Sequence, residues 1–200
     1  MGARLTVACI VIASKKRRAL LDELVMPSVV AQGFDETVVI GDFHSGDGWR
    51  HLPFPPLLGT TVDAQMKRDI ATMATNSDWL VYLCDDHRLD HYFSRDLLEL
   101  MQRGLGPTDI VVPSRFCIRE GKQIGLNMGW PGYLGQAYCG GHAGVFPRAA
   151  IQDVPWMLAP WHPQWDFFHS RILLERGYTF HYQTGTVMIE DVEPNAEPWL

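Results

Sequence analysis

The sequence predicts an α/β domain built on a mostly parallel central sheet with helices on both faces. Short apolar, β-branched segments alternate with segments whose apolar residues recur at helical spacing. The alternation starts near the amino terminus and follows the order β-α-β-α-β, which requires crossover helices that cover both faces of a parallel sheet. Ligands of such sheets gather outside the carboxyl ends of the strands, so the residues after each predicted strand are the candidates for function.

The predicted elements cover most of the chain. The first helix carries apolar residues such as Leu20, Leu21, Leu24 and Val25 on one side, and Gly177 ends the last helix as a C-cap. Residues 117–139 are rich in Gly and aromatic residues and predict a long functional loop. Strands are predicted at residues 6–13, 37–43, 79–84, 109–113, 144–147, 179–182 and 186–189, and helices at 16–32, 63–75, 95–102 and 167–176.

Composition limits the class of protein. The 200 residues are 46% apolar and 20% charged, which predicts one globular domain, 1–200. The net charge of −6 and the short basic run at 15–18 predict no nucleic-acid partner. The longest apolar run, 7–13, is too short for an integral membrane segment. Four cysteines without a CxxC pair indicate reduced thiols and a cytoplasmic protein.

The first polar site follows the second predicted strand. Asp42 and Asp47 lie in a turn rich in Gly, and their carboxylates can accept hydrogen bonds from a base or a ribose. The alternative is an Asx turn, in which both side chains only satisfy backbone N–H groups.

The second polar site follows the third long strand, where Cys84 precedes Asp85, Asp86 and His87. Adjacent carboxylates at a strand end repel each other unless a cation lies beside them. Their oxygens suit Mg²⁺ or Mn²⁺, which commonly complete their coordination with substrate phosphates. The alternatives are solvated loop charge, or a zinc pair made by His87 and His91 at i, i+4.

The third polar site is Trp165 and Asp166, at the start of the last helix. A carboxylate near a bound sugar can act as a general base that takes the proton from an attacking hydroxyl. The alternative is a favourable charge at the amino end of the helix dipole.

In this order, the three sites resemble the nucleotide-sugar-dependent glycosyltransferases of the GT-A fold, especially the inverting family 2. The resemblance extends over nearly the whole chain, with a nucleotide-sugar half at about 1–113 and an acceptor half at about 114–200, and it implies a single GT-A (Rossmann-like) domain. The residues that carry it are Ser28 and Gln32, Asp42 and Asp47, Lys67 and Arg68, residues 84–86, the Gly-rich 140–144, Arg148, Trp165 and Asp166, and residues 171–178.

The resemblance implies a metal-dependent glycosyltransferase that moves a sugar from a nucleoside diphosphate sugar of the UDP or GDP type to a carbohydrate or other hydroxyl acceptor, with inversion. It implies Asp166 as the catalytic base, and Mn²⁺ or Mg²⁺ held by Asp86 with Glu190 or Asp191. The nucleotide-sugar ligands it implies are Ala13, Ser14, Lys15, Asp42, Asp47, Lys67, Arg68 and Asp85. The acceptor or sugar contacts it implies are Trp130, Tyr133, Gly141, His142 and Trp165.

Three departures from the family pattern are visible. Cys84 occupies the first Asp of the metal motif, Trp165 replaces the first acid of the usual pair, and no His lies near Glu190 and Asp191, where the family has its late metal ligand. They are the kinds of change that an enzyme losing its metal would show, so the alternative hypothesis is a non-catalytic module that binds a nucleotide sugar or carbohydrate. A sugar nucleotidyltransferase is the third, but the turn at 13–16 lacks the Gly of its phosphate loop.

Overall fold

The computed structural model describes residues 5–42, 49–57, 60–119, 122–127, 143–162 and 164–191. The strands are β1 (Val7–Ile12), β2 (Glu36–Gly41), β3 (Arg50–Pro53), β4 (Trp79–Cys84), β5 (His87–Leu89), β6 (Asp109–Arg119), β7 (Lys122–Asn127), β8 (Ala143–Pro147) and β9 (Thr179–Asp191). The helices are α1 (Arg18–Leu20), α2 (Met26–Val30), α3 (Thr60–Ala74), α4 (Phe93–Gln102), α5 (Arg148–Asp153) and α6 (Trp165–Glu175). Within these residues, no helix is long and apolar enough to cross a bilayer.

All the strands belong to one mixed sheet, in the order β3-β2-β1-β4-β8-β6-β9-β5, with β7 paired to β6. The neighbouring strands β3, β2, β1 and β4 run parallel to one another, and β6 and β9 form a further long parallel pair. Strand β8 runs antiparallel between β4 and β6. The predicted fold class, an α/β domain with a mostly parallel sheet, is confirmed.

The core lies on both faces of the sheet, as the crossover helices require. Alternate residues of β1 point to opposite sides: Ala8 and Ile10 pack toward α3, α5 and α6, whereas Cys9 and Val11 pack toward α2 and α4. The central strands are therefore apolar along nearly their whole length, and these short apolar, β-branched runs are what predicted them from the sequence.

The predicted helix at 16–32 is present but is not one regular helix. A 3₁₀ turn (Lys15–Arg17), α1, a π-helical segment (Leu21–Val25) and α2 follow one another. Pro27 has no N–H to donate to the preceding turn, and the wider π turn lies directly before it. With this geometry Leu21, Val25 and Val29 all remain buried.

Two predictions about the second half are wrong. The part of the predicted 117–139 loop that the structure describes is a β-hairpin, because β6 runs to Arg119 and β7 returns to Asn127. The two strands predicted between 179 and 189 are one continuous strand, β9. Strands β3 and β5 and helix α5 were not predicted, because each is short and carries little apolar periodicity.

Candidate functional site

The carboxyl ends of β1 and β2 approach each other closely, and a glycine allows this. A Cβ added to Gly41 would lie 3.0 Å from the carbonyl oxygen of Ala13 and 3.2 Å from its Cβ. The Ala13 N–H donates to the Ile40 carbonyl at 2.9 Å. A backbone hydrogen bond therefore holds the start of the turn, at Ala13, against β2.

Asp85 fastens this turn to the end of β4. The backbone N–H and the hydroxyl of Ser14 both donate to Oδ2 of Asp85, at 2.6 and 2.7 Å. The Asp85 side chain is buried, and burial raises the pKa of its carboxyl group, while the Ser14 hydrogen bonds oppose the rise. Ser14 and Asp85, predicted as neighbours in a nucleotide site, are thus in direct contact.

An arginine joins Asp85 to Asp86. Nη1 of Arg17 lies 3.3 Å from Oδ1 of Asp85 and 2.5 Å from Oδ2 of Asp86. The arginine side chain is 36% exposed, against 6% for Asp85 and 15% for Asp86. Sequence reasoning missed Arg17, although it lies in the basic run directly after β1.

The end of β4 also brings together a possible metal-binding group. The ligand atoms of Cys84, Asp86 and His87 lie within 4.8 Å of one another, and Nδ1 of His87 is 2.6 Å from Oδ1 of Asp86. Burial raises the pKa of the Cys84 thiol to about 12. A protonated thiol is a poor ligand for a hard cation, so Asp86 is the group in this trio that suits Mg²⁺ or Mn²⁺.

The positions of His87 and His91 do not support the zinc alternative. His91 is exposed and its ring packs edge-on against Tyr92, 4.7 Å between centroids. His87 is buried beside Asp86.

Lys67 reaches the same edge of the sheet from α3. Its Nζ donates to the Ala13 carbonyl at 2.8 Å and lies 5.7 Å from the ring centre of Phe54. Burial lowers the pKa of Lys67, whereas the charges of Asp42 and Asp85 oppose that change. The amine therefore lies at the edge of the sheet predicted to hold the nucleotide, close enough to feel the charges of Asp42 and Asp85.

Arg68 points into the protein. It is 1% exposed, its Nη2 lies 3.6 Å from Cys84 Sγ, and its Nη1 donates to the Ala64 carbonyl at 2.8 Å. The guanidinium carbon is 4.9 Å from the ring centre of Trp165 and 5.6 Å from that of Trp156. Arg68 thus connects the end of β4 to the start of α6.

Asp166 lies in the first turn of α6 and is 5% exposed. Its Oδ1 accepts the Phe167 N–H at 2.9 Å, and its backbone carbonyl accepts the Ser170 hydroxyl at 2.9 Å. The carboxylate therefore also accepts a hydrogen bond at the amino end of α6, where a negative charge interacts favourably with the helix dipole.

Polar side chains beneath the site hold the 3₁₀ turn Trp156–Leu158 in place. Asp69 accepts the N–H groups of Trp156 and Met157 at 2.8 and 3.0 Å, and Gln65 donates to the carbonyls of Trp156 and Ala159. Burial raises the pKa of Asp69. The sequence analysis did not predict the roles of Gln65 and Asp69. The pattern that could have indicated them is two polar residues at i, i+4 on a helix that packs against the sheet.

Several predicted site residues are described only in part or not at all. Asp47, Trp130, Tyr133, Gly141 and His142 lie outside the described residues. Lys15, Glu190 and Asp191 are described by their backbone: Lys15 opens the turn after β1, and Glu190 pairs with His87 across β5 and β9. The backbone of the predicted late acid therefore runs beside the end of β4.

Comparison with solved structures identifies the fold. GalNAc-T7 with UDP, GalNAc and Mn²⁺ superposes at a TM-score of 0.70 and 14% identity, over 94% of this chain and 44% of that chain. S. aureus TarS superposes at a TM-score of 0.68 and 12% identity, over 94% of this chain and 37% of that chain. The TarS 1–349 fragment with UDP-GlcNAc superposes at a TM-score of 0.66 and 12% identity, over 94% of this chain and 59% of that chain. The chain has the GT-A fold.

The likeness is one of structure. No family model and no curated protein sequence matches this chain. The chain spans less than two thirds of each of these solved structures. Within its GT-A fold, the edge formed by the ends of β1, β2 and β4 carries Ser14, Lys67, Asp85 and Asp86.

Proposed function

We propose that this protein is a glycosyltransferase that moves a sugar from a nucleoside diphosphate sugar to an acceptor hydroxyl, with inversion at the anomeric carbon. The observation that carries the proposal is the convergence of Ser14, Lys67, Asp85 and Asp86 at one edge of a GT-A sheet. This edge is where parallel α/β sheets bind ligands. UDP is the favoured nucleotide, because GalNAc-T7 and TarS were solved with UDP or UDP-GlcNAc.

The nucleoside would lie against the turn after β1. Residues 13–15 border the site, Asp42 would accept hydrogen bonds from the base or ribose, and Lys67 would supply positive charge nearby. We include Asp47 in the same role on sequence grounds. Asp85 holds Ser14, so its contribution would be to keep this turn in the shape that fits the nucleotide.

A divalent cation, Mn²⁺ or Mg²⁺, fits one part of the site. The carboxylate of Asp86 offers hard oxygen, while the thiol of Cys84 and the imidazole of His87 are softer donors. Asp86 would hold the cation with the diphosphate oxygens and with Glu190 or Asp191. When bound, the cation supplies charge that stabilises the departing nucleoside diphosphate.

Asp166 would take the proton of the acceptor hydroxyl. The oxygen then attacks the anomeric carbon in line, while the bond from that carbon to the diphosphate oxygen breaks. Trp165 would line the acceptor side, together with Trp130, Tyr133, Gly141 and His142. The Arg68 side chain would position Cys84 and Trp165 from beneath.

Two observations favour the second candidate, a module that binds a nucleotide sugar without transferring it. The Cys84 thiol stays protonated, and both oxygens of Asp86 already lie close to Arg17 or His87. Such a site would bind the diphosphate with little help from a cation.

Calorimetry with UDP and with GDP, each with and without Mn²⁺, separates the two candidates. For the enzyme we expect Mn²⁺ to raise UDP affinity at least tenfold, and Asp86→Asn to abolish that gain. Asp153→Asn, an exposed carboxylate at the end of α5, is the matched control. Release of UDP from UDP-sugars, measured with acceptor mixtures, then tests transfer. UDP affinity unchanged by chelator and by Asp86→Asn would contradict the role of the metal.

A further inference from the structure

The paired carboxylates at the end of β4 are held by a side chain from another element. Oδ2 of Asp85 accepts both Ser14 hydrogen bonds, and Oδ1 of Asp86 contacts His87. The two remaining oxygens both face Nη1 of Arg17, at 3.3 and 2.5 Å. One guanidinium nitrogen therefore bridges the two carboxylates.

The low exposure of the two carboxylates strengthens this bridge. The carboxylates are 6% and 15% exposed, so water screens their mutual repulsion poorly. An ion pair of this kind is stronger than one between fully exposed side chains. The arginine is itself 36% exposed, so it can leave the carboxylates without first disturbing the core.

We propose that Arg17 is the built-in counter-ion of Asp85 and Asp86, which a divalent cation must displace from Asp86 in order to bind. Oδ2 of Asp86 cannot hold the guanidinium at 2.5 Å and a metal ion at once, because the two cations would repel each other at contact distance. The cation therefore binds weakly to the protein alone.

A diphosphate relieves this competition, in a step that rests on the proposed function. Guanidinium groups pair well with phosphate oxygens, so the displaced Arg17 gains a new partner when the nucleotide is present. Arg17 thereby couples the binding of the cation to the binding of the diphosphate, and in the free protein it offsets part of the negative charge of the acidic pair.

The test compares Arg17→Gln with Arg18→Gln in the full chain. Both variants remove one positive charge from adjacent positions, but Arg18 pairs with Asp22 on the helix surface at 2.6 Å. Free Mn²⁺ is measured by electron paramagnetic resonance in titrations without nucleotide. We expect Arg17→Gln to bind Mn²⁺ about fivefold more tightly than wild type, and Arg18→Gln to stay within about twofold.

Arg17→Lys is a more conservative second variant, which keeps the test valid if Arg17→Gln does not fold. It keeps the positive charge but loses the bridging geometry, so its Mn²⁺ affinity should lie between those of wild type and Arg17→Gln. Equal Mn²⁺ affinities for Arg17→Gln and Arg18→Gln would overturn the proposal, and so would absence of Mn²⁺ binding to every variant. Calorimetry of wild type with UDP is read separately: lack of UDP binding contradicts the proposed function, whatever the Arg17 result.

Discussion

Adjacent carboxylates at the end of β4 have different tasks because their neighbours differ. Asp85 turns inward to Ser14, so it organises the turn after β1. Asp86 faces Arg17 and His87, so it belongs to the ligand edge. Both residues lie in the turn that follows β4, so the two tasks follow from these different partners and not from strand alternation.

Asp166→Asn should lower turnover about a hundredfold or more while leaving UDP-sugar affinity nearly unchanged. Asn keeps an oxygen that can accept the Phe167 N–H, but it cannot take a proton from the acceptor. Steady-state rates and calorimetry on the same preparation provide the measurement. Parallel losses of affinity and turnover would instead assign Asp166 to the helix terminus alone.

Cys84→Asp should fold, because the new carboxylate would find Arg68 beside it. Nη2 of Arg68 lies 3.6 Å from the present sulfur, and the arginine is already buried. We expect Cys84→Asp to cost about 1 kcal/mol of unfolding free energy in wild type, but roughly 3–5 kcal/mol in an Arg68→Met background. Urea unfolding of the four proteins in this cycle measures the difference, and equal costs in both backgrounds would contradict the pairing.

Helix α6 packs on the 3₁₀ turn Trp156–Leu158 through a buried histidine. The His169 ring stacks on Trp156 at 3.9 Å between centroids, and its Nε2 donates to the Val154 carbonyl at 2.8 Å. Burial is the main cause that lowers the pKa of His169 to about 4. The helix therefore depends on an imidazole that stays neutral.

This packing predicts a pH dependence of stability. Below about pH 6.5 the unfolded chain protonates His169 and the folded chain does not, so stability falls as the pH drops toward 4. The loss should reach roughly 1–2 kcal/mol by pH 5, measured by urea unfolding. His169→Gln keeps a donor for Val154 and should remove this part of the pH dependence. His91→Gln, at an exposed position, is the control.

The contact between β1 and β2 predicts the effect of Gly41→Ala. The added methyl would press on Ala13, whose carbonyl also accepts Lys67, so the turn at the nucleotide edge must shift. We expect a loss of about 1–3 kcal/mol in unfolding free energy, together with weaker UDP binding. Gly106→Ala is the matched control, since its added methyl would come no closer than 3.4 Å to Asp109 Oδ2. Unchanged UDP affinity in Gly41→Ala would show that the turn tolerates the shift.

At the scale of the whole molecule, the sequence predicted the central sheet well and its periphery poorly. Strand β4 was predicted with its observed bounds because all six residues are apolar or thiol and most are buried. Edge strands such as β3 and β5 form because a neighbouring strand offers hydrogen bonds, and no local pattern reveals that. The resemblance to GT-A glycosyltransferases also implied a nucleotide-sugar site made by Ser14, Lys67 and the residues after β4, and its ligand-binding role stays a prediction. The sequence could not predict the Arg17 bridge, because Arg17 and Asp86 are 69 residues apart and their contact depends on the conformation of the turn after β1.

The rate at which Cys9 is alkylated can report on opening of the centre of the sheet. Cys9 lies in β1 between β2 and β4 with no exposed surface, and burial raises the pKa of its thiol far above the ordinary range. Alkylation requires a thiolate, so this sulfur reacts only when the strands beside it separate. Strand β1 leads directly into the turn that holds Ser14 and Arg17. A ligand bound at that turn should therefore slow the labelling of Cys9, so the alkylation rate of one interior sulfur would report occupancy of the surface site.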